Sequence, residues 1–161
     1  MANPATQSSG TDVDESSRRK VLCVSSIGLQ GWLGFAIWMT FGLLLEGLLG
    51  YKIPAYLVDP QRRELFRLAH SHGTLLSFLL VLAALWIARG HAVPNRAVCF
   101  SLRLGTILLP VGFLFAGIWH FESDPGFPIW LVPLGAVLVI FAVIALFVSS
   151  RRTIPSTENS D

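Results

Sequence analysis

Charged side chains are scarce in this chain of 161 residues and are absent from long stretches of it. Asp, Glu, Lys and Arg make up 14% of the residues against 53% for the hydrophobic types, and the mean hydropathy is +0.61. This composition excludes an ordinary water-soluble core and is typical of integral membrane proteins. The net charge of +2 is small, and the basic residues lie at the edges of the apolar runs, so no nucleic-acid partner is indicated.

Cysteine is also scarce. Cys23 and Cys99 are the two cysteines, and they lack the CxxC spacing of metal or redox motifs. Both fall in or beside apolar runs, near the same side of the membrane, where a free cysteine behaves as a small apolar side chain. We therefore expect two buried, unpaired thiols.

What the sequence does contain is four apolar runs, each long enough to cross a hydrocarbon core of about 30 Å. They predict an all-α integral membrane protein, a four-helix bundle formed by residues 21–150. The expected spans are residues 22–50, 66–88, 98–121 and 129–149. The polar segments 1–20 and 151–161 hold too few large apolar groups to order themselves, so we expect disordered tails.

Basic residues at the ends of the spans predict the orientation. Eight lie at the end that holds both termini: Arg18, Arg19, Lys20, Arg89, Arg96, Arg103, Arg151 and Arg152. Four lie at the other end: Lys52, Arg62, Arg63 and Arg67. Because Lys and Arg collect on the cytoplasmic side, both termini are predicted to be cytoplasmic, in a cell membrane of the bacterial inner-membrane type.

Ionisable side chains inside the spans are costly in a bilayer, and each is therefore a functional-site hypothesis. Glu46 in the first span, His70 in the second and His120 in the third are expected at one depth near the outer side. Each shares a helix face with small residues, which indicates packing against another helix. Carboxylate and imidazole from three helices at one level are typical of a site for a transition metal or haem.

His72, Glu122 and Asp124 are secondary polar candidates at the same end. Residues two positions apart on a helix point about 200° apart, so His70 and His72 cannot both bind one ion in an unbroken helix. We expect His70 to face inward because Gly73 and small hydroxyl residues share its face, whereas leucines share that of His72.

The segment DPQRRELFRLAHSHGTLLSFLL places an Asp-Pro and arginines before a span that opens with Ala-His and a small residue. It resembles small bacterial four-span membrane proteins, among them the hydroxylaminobenzene mutase family, membrane isomerases that move a hydroxyl group on an aromatic amine. The resemblance covers little more than the second span and the four-helix layout. It implies that His70 corresponds to the histidine of that family's Ala-His-Leu-Glu pattern, while Ser71 and His72 replace the two residues that follow.

Three classes of function stay open. A metal or haem site would make the protein a redox or isomerase-type membrane protein. A small proton-coupled transporter would use Glu46 to exchange a proton and a histidine to relay it. A bundle whose polar cluster is purely structural would serve as a homo-oligomer or an assembly partner in a membrane complex, through its glycine-rich faces. The lipid bilayer is the expected surrounding in each case.

Overall fold

A computed structural model describes residues 5–119 and 124–153 of the chain. Its regular elements are helices: α1 (Ala5–Gly50), α2 (Pro54–Leu57), α3 (Pro60–Ala88), α4 (Arg96–Ile118) and α5 (Leu131–Thr153), with a 3₁₀ turn at Phe127–Trp130. Four segments are long and apolar enough to cross a membrane: Lys20–Gly50, Pro60–Ala88, Arg96–Ile118 and Phe127–Arg152. The prediction of an all-helical chain with four such helices is confirmed.

Polar caps explain why α3 and α4 begin earlier than the predicted spans. Asp59 accepts a hydrogen bond from the backbone N–H of Arg62 at 3.0 Å, and a proline takes the first helical position. Asn95 caps α4 by accepting from the backbone N–H of Val98 at 2.8 Å. At its other end α4 stops at Ile118, short of the predicted limit at residue 121.

The terminal helices run beyond the predicted spans. α1 begins at Ala5 and α5 ends at Thr153, so both cover residues for which the sequence predicts disordered tails. No proline lies between Pro4 and Pro54, so the backbone of α1 meets no residue that would stop a helix. These two helices are therefore longer than the predicted spans, the four-span layout is unchanged, and the disorder of the tails stays a prediction.

The spans pack in chain order, with α1 against α3, α3 against α4, and α4 against α5. In the described part of the chain, α1 and α5 do not approach each other, so the bundle is open on that side. The largest fully buried side chains include Leu80 and Ile87 of α3 and Leu102 of α4. α1 and α5 expose broad apolar faces, which lipid covers in a membrane. α3 and α4 thus form the centre of the domain, and α1 and α5 form its edges.

Glycine permits close helix contact at two interfaces. A Cβ on Gly105 of α4 would lie 2.7 Å from the carbonyl oxygen of Gly135 in α5. Between α1 and α3, a Cβ on Gly31 would lie 3.0 Å from the carbonyl oxygen of Ser77. Separations this short leave no room for a side chain, and small residues at such positions let membrane helices approach closely.

Cys23 of α1 and Cys99 of α4 form a disulfide, with their Cα atoms 6.1 Å apart. The prediction of two unpaired thiols is therefore wrong. The cysteines are 76 positions apart in the sequence, and they meet because α4 returns beside α1. They lie at the end of the spans that also carries Lys20, Arg96 and Arg103, which we call the basic end. The opposite end of the spans is called the far end.

Candidate functional site

A groove of about 890 Å³ lies between α1 and α3 at the far end. Glu46 and His70 both line it, so two of the three predicted site residues share one site. The other lining residues are Met39, Gly42, Leu43, Leu45, Leu49, Tyr56, Arg63, Glu64, Arg67, Leu68 and Ser71. The groove is open at its side, where Leu43 exposes 74% of its surface.

Glycine allows the His70 ring to lie against α1. The Nδ1 of His70 donates a hydrogen bond to the backbone carbonyl oxygen of Trp38 at 2.8 Å. This bond assigns the proton to Nδ1, because a carbonyl oxygen can only accept. A Cβ on Gly42 would overlap the imidazole, and a Cβ on Gly73 would overlap the Trp38 indole. The ring is thus held between the helices, and in the Nδ1–H tautomer its Nε2 is a hydrogen-bond acceptor.

Glu46 follows Gly42 by four residues of α1, which is about 6 Å along the helix axis. Its side chain is exposed in the groove. No hydrogen bond or ion pair joins its carboxylate to another residue that the structure describes, and the same holds for Nε2 of His70. The groove therefore offers two hydrogen-bond acceptors to a ligand.

Arginine and tyrosine border the groove beside the segment that connects α1 to α3. Arg67 pairs with Glu64 at 3.7 Å, and Arg63 donates from Nη1 to a backbone carbonyl oxygen of α2 at 3.3 Å. Tyr56 is buried, with 6% of its surface exposed. Burial raises the pKa of its phenol above the usual 10.0, while the charges of Arg63 and Arg67 lower it and that of Glu46 raises it.

His72 lies on the opposite side of α3 from His70. Its Nδ1 donates to the Leu68 carbonyl oxygen at 2.9 Å, and its ring packs on Phe113 of α4 with the ring centroids 5.2 Å apart. His70 thus contacts α1 whereas His72 contacts α4, as an angle of about 200° between the two positions requires. His72 does not line the groove.

The other predicted site residues lie in a turn or outside the described ranges. Asp124 accepts a hydrogen bond from the backbone N–H of Gly126 at 2.9 Å, in the turn before α5. His120 and Glu122 lie outside the described residues. Within residues 5–119 and 124–153, no three His, Cys, Asp or Glu side chains are grouped as the ligands of a metal ion would be. The metal or haem site stays a prediction that requires His120.

Trp38 and Tyr56 also help to form the site, although neither is among the predicted site residues. Trp38 precedes Gly42 by four positions on α1, and His70 precedes Gly73 by three on α3. Each large ring therefore fills the space that a glycine of the facing helix leaves open. This reciprocal spacing is present in the sequence, but it can be recognised only once α1 and α3 are known to be neighbours.

No family model, curated protein or solved structure matches the chain. The resemblance of the second span to the hydroxylaminobenzene mutase family stays a prediction. The function is accordingly inferred from the groove itself.

Proposed function

We propose that this chain is a multi-pass membrane protein that binds a small apolar amine in the groove between α1 and α3. The observation that carries the proposal is a pair of unpartnered acceptors among the described residues, the Glu46 carboxylate and Nε2 of His70, in one open groove. A protonated amine supplies N–H donors to both acceptors and a positive charge to the carboxylate. Apolar walls that include Leu43 and Leu49 suit its hydrocarbon part.

Two arginines and two glutamates line the groove, and Glu46 is the carboxylate among them that is left for a cationic ligand. Arg67 is engaged by Glu64 and Arg63 by a backbone carbonyl oxygen, whereas Glu46 has no partner among the described residues. A carboxylate beside apolar surface gains more from a bound cation than it would in water, because the local dielectric constant is lower. An amine would therefore complete the ion pair that Glu46 lacks.

Exchange of the amine for a proton is the process that this site supports best. Eight basic residues at the basic end against four at the far end favour cytoplasmic termini, so the groove would face the outer side. A proton and an ammonium group compete for the charge of Glu46. Binding of one therefore promotes release of the other, which is the coupling that a small proton-coupled transporter needs.

Calorimetric titration of the full-length protein in lipid nanodiscs with benzylamine tests the proposal. Benzyl alcohol and benzoate carry the same ring without an ammonium group and serve as ligand controls. We expect both controls to bind at least about tenfold more weakly, since hydrogen bonds to charged groups contribute about 1.5–3 kcal/mol. Equal affinity for the three compounds would reveal an unspecific apolar surface and would overturn the proposal.

Glu46→Gln keeps the shape of the side chain and removes its charge, so benzylamine affinity should fall about tenfold or more. Glu64→Gln is the matched control, because Glu64 borders the same groove but already pairs with Arg67 at 3.7 Å. We expect the control to change affinity less than about threefold. Equal losses in the two variants would contradict the role given to Glu46.

The same acceptors support a second candidate, the isomerase activity that the resemblance implies. An aryl hydroxylamine presents N–H and O–H donors on an apolar ring, so it matches the chemistry of the groove. The test is to incubate the purified protein with phenylhydroxylamine and to look for product in which the hydroxyl group has moved from nitrogen to the ring. Phenylhydroxylamine that binds but is recovered unchanged favours the binding function.

A metal or haem centre has less support. Glu46, Glu64 and His70 line the groove, but among the described residues no three such side chains are grouped as the ligands of one metal ion would be, whereas protein sites for zinc and similar metals use three or four ligands. Metal analysis and an absorption spectrum of the purified protein test this alternative. We expect metal well below one equivalent and no haem absorption, and a stoichiometric metal that disappears in a His120→Ala variant would reverse the preference.

A further inference from the structure

The groove between α1 and α3 holds one charge more than a simple amine would use. Glu64 and Arg67 pair with each other at 3.7 Å, so their charges offset. Arg63 donates from Nη1 to a backbone carbonyl oxygen, which is neutral, and it forms no ion pair with any residue that the structure describes. Glu46 and Arg63 are therefore left in one groove with opposite charges that no ion pair offsets.

The packing of α1 on α3 gives the order of the polar groups along the groove. Gly42 of α1 lies against His70 of α3, and eight positions earlier on α1 the facing residue is seven positions later on α3. The two helices are therefore antiparallel and stay in step. In this register Glu46 is about 6 Å nearer the far end than His70, and Arg63 is about 4.5 Å nearer again. The two acceptors thus lie deeper in the groove than the cation.

Helical spacing places these side chains on the faces that meet. On α3, Arg63, Arg67 and His70 follow one another at intervals of four and three positions, so they share one face. On α1, Leu43 and Glu46 are three positions apart and share the opposing face. All five residues line the groove. A ligand between the helices would therefore meet the carboxylate on one side and the guanidinium on the other.

The phenol of Tyr56 lies close to both charges. Burial raises its pKa above 10.0, Arg63 and Arg67 lower it, and Glu46 raises it. Because such electrostatic effects weaken with distance, groups that act on one phenol lie in one part of the groove. The opposite charges are thus near enough to be bridged by one small molecule.

We propose that the amine bound in the groove is a zwitterion, with its ammonium group at Glu46 and His70 and a carboxylate or phosphate group at Arg63. This inference rests on the proposed binding of an amine. A guanidinium group donates to either anion through two parallel N–H bonds. A zwitterion would satisfy both charges that lack an ion pair, whereas a simple amine satisfies one. This chemistry occurs in a free amino acid and in the headgroup of an aminophospholipid.

Calorimetric titration of the full-length protein in phosphatidylcholine nanodiscs tests the first source. Phenylalanine is phenethylamine with an added carboxylate, and we expect it to bind about tenfold more tightly than phenethylamine. 3-Phenylpropionate, which lacks the ammonium group, should bind more weakly than either compound. If none of the amines binds, benzylamine included, the proposed function itself fails.

Nanodiscs that also contain phosphatidylethanolamine test the second source. Its headgroup has N–H donors, which the quaternary ammonium of phosphatidylcholine lacks. If the headgroup occupies the groove, the apparent affinity for benzylamine should fall about threefold or more by competition. Competition identifies a lipid headgroup, and its absence together with tight phenylalanine binding identifies a free zwitterion. If benzylamine binds but neither effect is seen, the zwitterion is excluded while the amine site stands.

Variants show whether Arg63 recognises the anionic group. Arg63→Gln should bring the affinity ratio of phenylalanine to phenethylamine close to one and abolish competition by the headgroup, whereas Arg63→Lys keeps the charge and should retain part of both effects. Lys52→Gln is the matched control, because Lys52 is exposed at the same end and does not line the groove. Glu64→Gln releases Arg67 and should strengthen zwitterion binding about twofold, a gain that a folding defect would not produce. Equal effects of Lys52→Gln and Arg63→Gln overturn the assignment.

Discussion

The imidazole of His70 lies over the Cα of Gly42, so close that a Cβ on this glycine would be 2.7 Å from Nδ1 and 2.8 Å from Nε2. This contact lets the ring reach the Trp38 carbonyl oxygen on the same helix as Gly42. It also sets the position of Nε2 relative to Glu46, which is one turn further along α1. Gly42, which has no side chain, thus determines the geometry of the candidate site.

Replacement of Gly42 by alanine should therefore disturb both stability and binding. The added methyl group forces the His70 ring out of its position, and such overpacking costs about 1–3 kcal/mol. We expect benzylamine affinity to fall together with the free energy of unfolding, measured by titration with a denaturing detergent. Gly47→Ala is the matched control, because a Cβ there meets nothing within 4 Å and alanine favours a helix by about 1 kcal/mol. A Gly42→Ala variant as stable as Gly47→Ala would contradict the packing.

The two histidines of α3 provide a second prediction. His70→Phe keeps a ring over Gly42 but removes Nε2 as an acceptor, so benzylamine affinity should fall about tenfold. His72→Phe should leave the affinity unchanged, because His72 packs on Phe113 and does not line the groove. Calorimetric titration of both variants in nanodiscs makes the comparison. If His72→Phe weakens binding as much as His70→Phe does, the groove is not the binding site.

Tyr56 gives a prediction on pH. Burial raises the pKa of its phenol above 10.0 in the folded protein. The neutral phenol is therefore favoured more strongly in the folded protein than in the unfolded chain. The stability that this shift contributes is fully present below the unfolded pKa and is lost as pH rises through the folded pKa. Spectroscopic titration of tyrosinate in the wild type minus that in Tyr56→Phe isolates this phenol, and its midpoint should lie above 10.0. A midpoint at or below that value would contradict the burial of Tyr56.

The four helices that are long and apolar enough to span a membrane could be predicted from the sequence, because an uninterrupted apolar run is visible in it directly. Their caps were open to prediction as well, since Asp59 with the following proline and Asn95 have the side chains that N-caps require. Glu46 and His70 lie at a similar depth because Glu46 is near the C-terminus of α1 and His70 is in the N-terminal half of α3, and both of these parts lie towards the far end. In these cases the determining interactions are local in the chain.

Helix pairing could not be predicted in the same way, because leucine-rich faces suit lipid and protein alike. That His70 contacts α1 and His72 contacts α4 depends on which helices are neighbours. The disulfide between Cys23 and Cys99 depends on the return of α4 beside α1, which no spacing between the two cysteines encodes. The contacts that define the groove are of this non-local kind.

The disulfide between Cys23 and Cys99 allows the proposed orientation to be tested in cells. Cytoplasmic termini place both cysteines at the end of the spans that faces a reducing compartment, where thiols are kept reduced. With cytoplasmic termini, acid-quenched cells should yield protein whose two cysteines react with a polymer-linked maleimide after denaturation. With the basic end outside, the disulfide should already be present in cells, and the protein should resist the reagent until it is reduced. Cys99→Ser, with one thiol, calibrates the gel shift for a single modification. Resistance to the reagent in freshly quenched cells would place the basic end outside and reverse the orientation.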